Sequence, residues 1–509
     1  MGELIGGYRH QMIFRVLDED PVGDLNGYLS RGGGGALRAA RLAEPIDIVE
    51  VIAESGLRGR GGAGFPTATK WRSVLANASE VRPTSVVINA AEGEPSTFKD
   101  RTILRNNVFR VFEGALIACH VVAASELVVA IKESFAAEIA IIEAAVIEMN
   151  AAGWFDAIDV RVVRGPGSYL FGEETAMLEV ISNRQPFPRV SPPWRRGIDD
   201  PDDGDGDGAT AELAGTVDTV GAPALVNNVE TFANVALIVE NGPSWFREVG
   251  TAASPGTIVC TVVGDTRRHG VAEFAMGTPL SEVIESIGGG SRPGRTIIAV
   301  LPGASSAVIG REALTTALTH EDMHSAGSGL GSAGFLCVDD AADTFALAHG
   351  ASRFLSVESC GQCTPCKDDG LATTALLAQL LDGTAATDVS TKIGDRLATI
   401  TTGARCSLAS QQQVVIGSLV ALCARTPVLS PSDAPDDATG RAERVLGSAL
   451  RPLLDIVDGV AVLDDSFAGK QPDWSYDEQG SGLYPVQRLH GPSSETDGVV
   501  VQSPPSAPT

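Results

Sequence analysis

The chain has 509 residues, enough for roughly three domains of about 150 residues each, which excludes low-complexity and fibrous classes. Its 38 Lys and Arg stand against 64 Asp and Glu, a formal charge of −26 that repels phosphate backbones and anionic lipid, so no nucleic-acid partner is expected. No apolar run reaches the roughly 18 residues of a membrane span, and the opening MGELIGGYRHQMIF lacks the basic and apolar regions of a secretory signal, so a cytoplasmic protein without direct membrane insertion is expected.

In chain order, residues 1–35 are Gly-rich and end in Arg31-Gly32-Gly33-Gly34-Gly35, which reads as a mobile lead-in. Helical spacing of Ile48, Val49 and Ile52 then feeds a glycine loop, Gly56 to Phe65. Short apolar strands at 85–88, 127–131 and 158–163 alternate with helical patterns at 102–124 and 136–149, the signature of an α/β domain with a largely parallel sheet, over residues 36–250. An acidic, Gly-rich insertion occupies 195–220. Its Asp203, Asp205, Asp207 and Gly208 imitate a calcium loop, but Ala214 stands where the closing Glu belongs. Residues 255–335 read as a small α+β module, 340–427 as an all-α helical bundle, and 428–509 as a mostly disordered tail rich in Pro, Ser, Asp and Gly.

Three of the eight cysteines, Cys360, Cys363 and Cys366, form C-x2-C-x2-C, a spacing that aims three thiolates at three irons of a cubane. Zinc sites usually pair two C-x2-C knuckles, and no second knuckle is present, so a 4Fe-4S cluster is preferred over zinc. For the fourth ligand the candidates are Cys406, just before a helix, and Cys423, inside an apolar stripe; Cys406 is the better candidate, and Cys119, Cys260 and Cys337 read as core packing. Gly59 to Gly64 matches G-x-G-x-x-G but follows a helix instead of a strand, so alone it says little. Two further loops, Asn89 to Pro95 and Gly165 to Thr175, each follow a strand, where open α/β sheets bind ligands. His320-Glu321-Asp322-Met323-His324 matches the zinc-protease H-E-x-x-H, but without the rest of that signature it reads as a polar surface turn.

The segments GLRGRGGAGFPTATKW, NAAEGEPSTFKDR, GPGSYLFGEETAMLEV, PRVSPPW, GAPALVNNVETFANV and ESCGQCTPC with a later RCSLA resemble, in that order, the NADH-binding flavoprotein subunit of respiratory complex I. They also resemble the related diaphorase subunits of NAD-linked hydrogenases and formate dehydrogenases. The resemblance covers about residues 36–425 and implies a Rossmann-like FMN domain, a ubiquitin-like β-grasp (SLBB-type) module and a helical bundle carrying a 4Fe-4S cluster. It implies FMN contacts at Gly59, Gly62, Lys70, Asn89, Glu92, Gly172, Asn227 and Asn228, and an NADH site lined by Phe65, Lys70, Glu94, Tyr169, Glu174 and Trp194. Glu173, at a helix start after the third loop, is a further cofactor-binding candidate, Glu92 and Glu174 are the candidate catalytic residues, and Cys360, Cys363, Cys366 and Cys406 would be the cluster ligands. Hydride would pass from NADH to FMN, then single electrons to the cluster and on to a thioredoxin-like 2Fe-2S subunit or a ferredoxin within a hetero-oligomer, at the periphery of a membrane complex or free of one. Three positions depart from the family pattern: Ala91 replaces an acid, Ser73 an aromatic and Ser191 a basic residue. Neighbouring Arg72 raises the question of NADPH. A carrier that keeps the cluster but has lost the nucleotide pocket is the alternative reading.

Overall fold

The computed structural model describes residues 12–78, 83–156, 158–198, 222–425, 450–472 and 500–501. The acidic run 199–221, with the calcium-like Asp203, Asp205 and Asp207, lies outside the described residues.

The segment expected to stand apart as a lead-in is packed from residue 12 onward. Val16, Leu17 and Val22 are buried ahead of two short helices, α1 (Leu25–Ser30) and α2 (Gly35–Ala40), which bury Leu25, Tyr28 and Leu37 in the main core. Asp24 caps α1, accepting the Gly27 N–H at 2.7 Å. Glu273, far along the chain, accepts the N–H groups of Arg15, Val16 and Leu17 at 2.9 to 3.0 Å and holds this segment against the second sheet. Glu113 likewise accepts the Tyr28 hydroxyl and the N–H groups of Gly34 and Leu37. The glycines of 31–35 make a tight turn; Gly32 and Gly34 have positive φ.

Helix α3 (Pro45–Ser55) starts at a proline and ends at Gly56 in the left-handed region, then the glycine loop leads into α4 (Thr67–Leu75). The main sheet follows: β1 (Thr84–Ala90), α5 (Lys99–Val122), β2 (Ala124–Lys132), α6 (Ala136–Ala151), β3 (Asp159–Gly165), α7 (Glu174–Ile181), β4 (Ala224–Asn228), α8 (Val229–Asn241) and the one-turn α9 (Pro243–Phe246). β1 pairs parallel with β2 on one side and β4 on the other, and β3 extends the sheet from β2. The runs SVVI and LVVAI are buried on both faces, as a parallel sheet requires. Helices α5 and α8 cover one face. They cross so closely that a Cβ on Gly114 would stand 1.9 Å from the Phe232 carbonyl oxygen. The other face packs Val87, Val128 and Val226 against Phe171, Met177 and Leu178.

A second sheet follows in the order β6 (Gly270–Ala275), β5 (Thr257–Gly264), β9 (Gly334–Asp339), β7 (Ile297–Pro302), β8 (Ile309–Gly310), folded over α10 (Leu280–Gly288), with the short α11 (His320–Ser325) in a connection. Helices α12 (Thr344–Glu358), α13 (Thr364–Leu381), α14 (Val389–Thr399) and α15 (Leu408–Arg425) form the bundle around Leu355, Leu377, Ile393 and Leu419. This is the expected mixture of α/β, α+β and all-α parts.

The tail departs from expectation in one stretch. Residues 450–472 form a hairpin, β10 (Leu453–Val457) and β11 (Val460–Leu463), and a 3-10 turn that grip three parts of the molecule. Arg101 and Arg105 of α5 bind Leu454 O and Asp455, His269 of the second sheet binds Ala461 N, and Arg353 of α12 binds the carbonyls of Phe467, Ala468 and Lys470. Val500–Val501 adds β12, antiparallel, to the edge of β3. Among the described residues no helix is long and apolar enough to cross a membrane.

Candidate functional site

The strand order β3-β2-β1-β4 reverses direction at β1, so the loops leaving the carboxyl ends of β1 and its neighbours open a crevice there. The loops that the sequence points to meet at this place. Asn89 closes β1 by donating its amide to the Gly172 carbonyl at 2.9 Å, while its own oxygen accepts the Ala91 N–H at 3.2 Å. Lys70 reaches across from α4 to the Val226 carbonyl at 3.0 Å and pairs with Glu174. Glu173 caps α7, accepting the N–H groups of Thr175 and Ala176, and burial pushes its carboxyl above the usual range. The glycine loop is folded by Gly59 N–H to Phe65 O at 2.9 Å and Arg58 to Gly64 O at 2.7 Å, with Gly62 at φ 117°. Phe65, at its end, is 43% exposed.

Beneath the crevice lies a buried ion cluster that single-residue reading of the sequence misses. Lys99 Nζ sits 2.6 Å from Asp100, 3.0 Å from Glu230 and 3.1 Å from the Asn228 side-chain oxygen. Burial disfavours its charge, but Asp100 and Glu230 outweigh that and hold its pKa above the usual lysine value. Asn228 also caps α8 and donates to Asp100 at 2.7 Å. Glu92, one of the candidate catalytic residues, accepts the Asp100 N–H at 3.0 Å and Arg101 Nε at 2.8 Å; it anchors the start of α5 instead of standing free as a base.

Other candidate residues face elsewhere than expected. Tyr169 turns toward the bundle: its N–H donates to Glu358 at 2.9 Å, its hydroxyl to Gln411 at 3.3 Å, and its ring meets Phe354 edge-on. Glu94 is held by Ala304 N–H and the Ser332 hydroxyl, both at 2.9 Å, and burial pushes its pKa up. Asn227 lies against Trp71 Nε1 and Val226 O at 3.0 Å in the amide orientation that satisfies both. Trp194 packs against the main core. Ala91 sits 2% exposed in the apolar cluster of Val87, Phe171 and Met177.

Polar groups remain that fit a bound nucleotide cofactor such as FMN. Thr67 Oγ1, three residues before Lys70, and Ser168 Oγ, in the loop after β3, are buried without hydrogen-bond partners. Lys132, at the end of β2, is 4% exposed, donates to Gly167 O at 3.3 Å, lies over the Phe135 ring and, among the described residues, makes no ion pair. Burial lowers its pKa to about 8. A Cβ on Gly93 would stand 2.8 Å from its Nζ, so this cation lies between the loops after β1 and β3.

Cys360 and Cys363, from the loop between α12 and α13, Cys366, in the first turn of α13, and Cys406, just before α15, line one cavity with Leu170, Pro188, Gln362 and Arg405. Burial pushes the Cys366 thiol up to about 11 and Cys406 up to about 12, so a metal that binds here must displace protons that these groups hold tightly. Among the described residues no trio of His, Cys, Asp and Glu is arranged for a single ion, whereas four thiols ring a cavity; the donor set fits a polynuclear cluster. Cys423 is buried in the bundle core with Val415 and Leu419.

His320 is no surface turn. Its ring lies against the glycine loop, where a Cβ on Gly64 would meet it at 2.4 Å, and its neighbour Glu321 binds Arg58 and Ser254, each at 2.7 Å. Burial, then Arg58 and Arg60, lowers its pKa from 6.5 to about 4. The unfolded chain therefore takes up this proton first. Stability that is complete above pH 6.5 is lost as the pH falls toward 4. In His320→Gln the thermal midpoint should fall less over that window; an unchanged acid limb would refute this.

A family model described as the Nuo51 FMN-binding domain matches residues 52–237, and one described as the NADH-ubiquinone oxidoreductase-F iron-sulfur binding region matches 346–425. The second NADH-quinone oxidoreductase F-subunit of Rhizobium meliloti (strain 1021) is 38% identical over 355 residues, covering 68% of this chain and 79% of the relative. The F-subunit of Rickettsia bellii (strain OSU 85-389) is 36% identical over 332 residues, covering 63% and 75%. Among solved structures, an NAD+-reducing nickel-iron hydrogenase in the H2-reduced state superposes with a TM-score of 0.68 at 28% identity, over 84% of this chain and 71% of that one. The chain belongs to the family of the NADH-quinone oxidoreductase F-subunit, NADH dehydrogenase-type flavoproteins that bind NADH and FMN and carry a 4Fe-4S region.

Proposed function

We propose that this chain oxidises NADH and delivers the electrons singly to a cluster held by Cys360, Cys363, Cys366 and Cys406, and from there to an iron-sulfur partner, a thioredoxin-like 2Fe-2S subunit or a ferredoxin, in a multi-subunit complex. Bound FMN supplies the conversion of a two-electron donor into one-electron steps, which thiolates and iron alone do not provide. The observation that carries the reading is the loop 165–174, which belongs to both sites. On one side its Gly172 carbonyl is tied to Asn89 at the end of β1; on the other, Leu170 lines the thiol cavity and Tyr169 N–H binds Glu358, two residues before Cys360. An electron leaving the crevice thus crosses one short loop.

In this reading Gly59, Gly62, Lys70, Asn89, Gly172 and Asn228 bind the flavin nucleotide, with Lys132 supplying further positive charge. Phe65 and Glu174 lie on the NADH side. Cys360, Cys363 and Cys406 are only partly buried and Arg405 is exposed, which leaves an exit for electrons toward the partner. Arg72, the residue that raises the question of NADPH, spends its guanidinium on both oxygens of Glu50 at 2.8 Å, a carboxylate that would repel a 2′-phosphate. Anaerobic titration of the flavin- and iron-loaded chain tests the reading. NADH should bleach the flavin band well before NADPH does. Retention of the cluster with no flavin bound, even after FMN is added, would overturn it in favour of a carrier without a nucleotide pocket.

A further inference from the structure

One of the four thiols, Cys366, is contacted by a buried side chain from another helix. Gln412, on α15 and 1% exposed, crosses to the start of α13 and donates its amide to the Cys366 carbonyl at 3.0 Å and to Cys366 Sγ at 3.2 Å. Room for it comes from Gly370, where a Cβ would stand 2.2 Å from Gln412 Oε1. The Ser359 hydroxyl lies 3.4 Å from the same sulfur. Ser359 is itself fixed from behind, because the buried Lys367 ammonium binds the carbonyls of Ser359 at 2.7 Å and Ser356 at 3.1 Å at the end of α12. Cys360 has the Gln362 backbone N–H and its side-chain amide, the latter at 3.6 Å, and Cys406 has the Leu408 backbone N–H, whereas the donors at Cys366 are buried side chains that can be exchanged one at a time.

We propose that Gln412, with Ser359, is a positioning residue that raises the reduction potential of the cluster by hydrogen bonding to the Cys366 sulfur. This rests on the four cysteines holding the cluster. When the cluster takes one electron it gains one unit of negative charge, shared with its thiolate sulfurs, and no bond is made or broken. A donor aimed at a sulfur stabilises the reduced form more than the oxidised one, so the potential rises with the number and directness of such bonds. The buried Lys367 charge, within the same turn, acts in the same direction. The cluster is thereby a better acceptor for electrons arriving across Leu170.

The test is a mediated redox titration of the iron-loaded full chain with a chemical reductant, followed by electron paramagnetic resonance, so NADH and flavin play no part. Gln412→Met keeps the length of the side chain and removes the donor. At fixed ambient potential its ratio of reduced to oxidised cluster should fall about tenfold, about 59 mV for one electron. Gln412→Glu, which offers only acceptor oxygens, should fall further, and Ser359→Ala should shift in the same direction by less. A residue that merely packs would lower iron content or thermal stability without this graded order. Full iron content with an unchanged potential in Gln412→Met overturns the proposal. If that variant does not load iron, an unchanged potential in loaded Ser359→Ala overturns it instead. Failure of any cysteine-ligated cluster to form in the parent chain marks failure of the functional reading itself.

Discussion

Replacing Cys406 with alanine should strip the chain of its 4Fe-4S cluster while leaving NADH able to reduce the flavin. Cys406 lines the cavity from a segment forty positions after the C-x2-C-x2-C run, and without it the cavity keeps three thiols from one segment. Loss of an outer-shell partner of a metal site already costs about 10–100-fold in affinity, so loss of a ligand should cost more than that. Iron per chain, the cluster's share of the visible absorbance and its electron paramagnetic resonance signal should collapse together, while the flavin band stays and still bleaches with NADH. Cys423→Ala is the matching control. Its sulfur lies in the bundle core, so iron should stay and only thermal stability should drop. Iron retained in Cys406→Ala and lost in Cys423→Ala would reverse the assignment.

The second large effect is on folding. Lys99→Met should destabilise the flavin-binding part by about 3–5 kcal/mol, the cost of leaving buried carboxylates without their cation. Asp100 and Glu230 both depend on this ammonium, and Glu230 also accepts the Val259 N–H at 3.0 Å, so the damage should reach the second sheet. The sign of the pH dependence follows. Burial already pushes the Asp100 carboxyl up, and without Lys99 it should rise further. The variant should therefore lose most stability at neutral pH and recover part of it on acidification, as the stranded carboxyls take up protons. Urea unfolding of parent and variant at pH 7 and pH 5.5 reads this directly. A variant no weaker than the parent at pH 7 would show that the cluster of charges contributes nothing to holding α5 and α8.

Much of this architecture is visible in the residues themselves, because its signals are local. SVVI and LVVAI have the length and branching of buried strands, and the three-cysteine loop announces its chemistry by spacing alone. What escapes is non-local. Residues 12–35 show no apolar period, and the carboxylate that holds Arg15 to Leu17 is Glu273, more than 250 positions later. The hairpin of 450–472 looks like tail because its partners Arg101, His269 and Arg353 belong to three other parts of the chain. Spacing puts Tyr169 in the right loop for the nucleotide side, but spacing does not say which side of a loop a ring faces. Lys99, Asp100 and Arg101 are consecutive charges that would ordinarily be solvated, and only the crossing of α5 beneath the sheet ends buries all three.

The two straps, 12–24 and 450–472, also set a timetable for synthesis. The first emerges from the ribosome long before Glu273 exists to receive it, and α5 waits still longer for Leu454 and Asp455. Domains of a long chain ordinarily fold in turn, amino-terminal first, as they are translated. Here the amino-terminal sheet cannot reach its final packing until residues 450–472 have emerged. Chains truncated before residue 450 should therefore be prime substrates for chaperones and proteases.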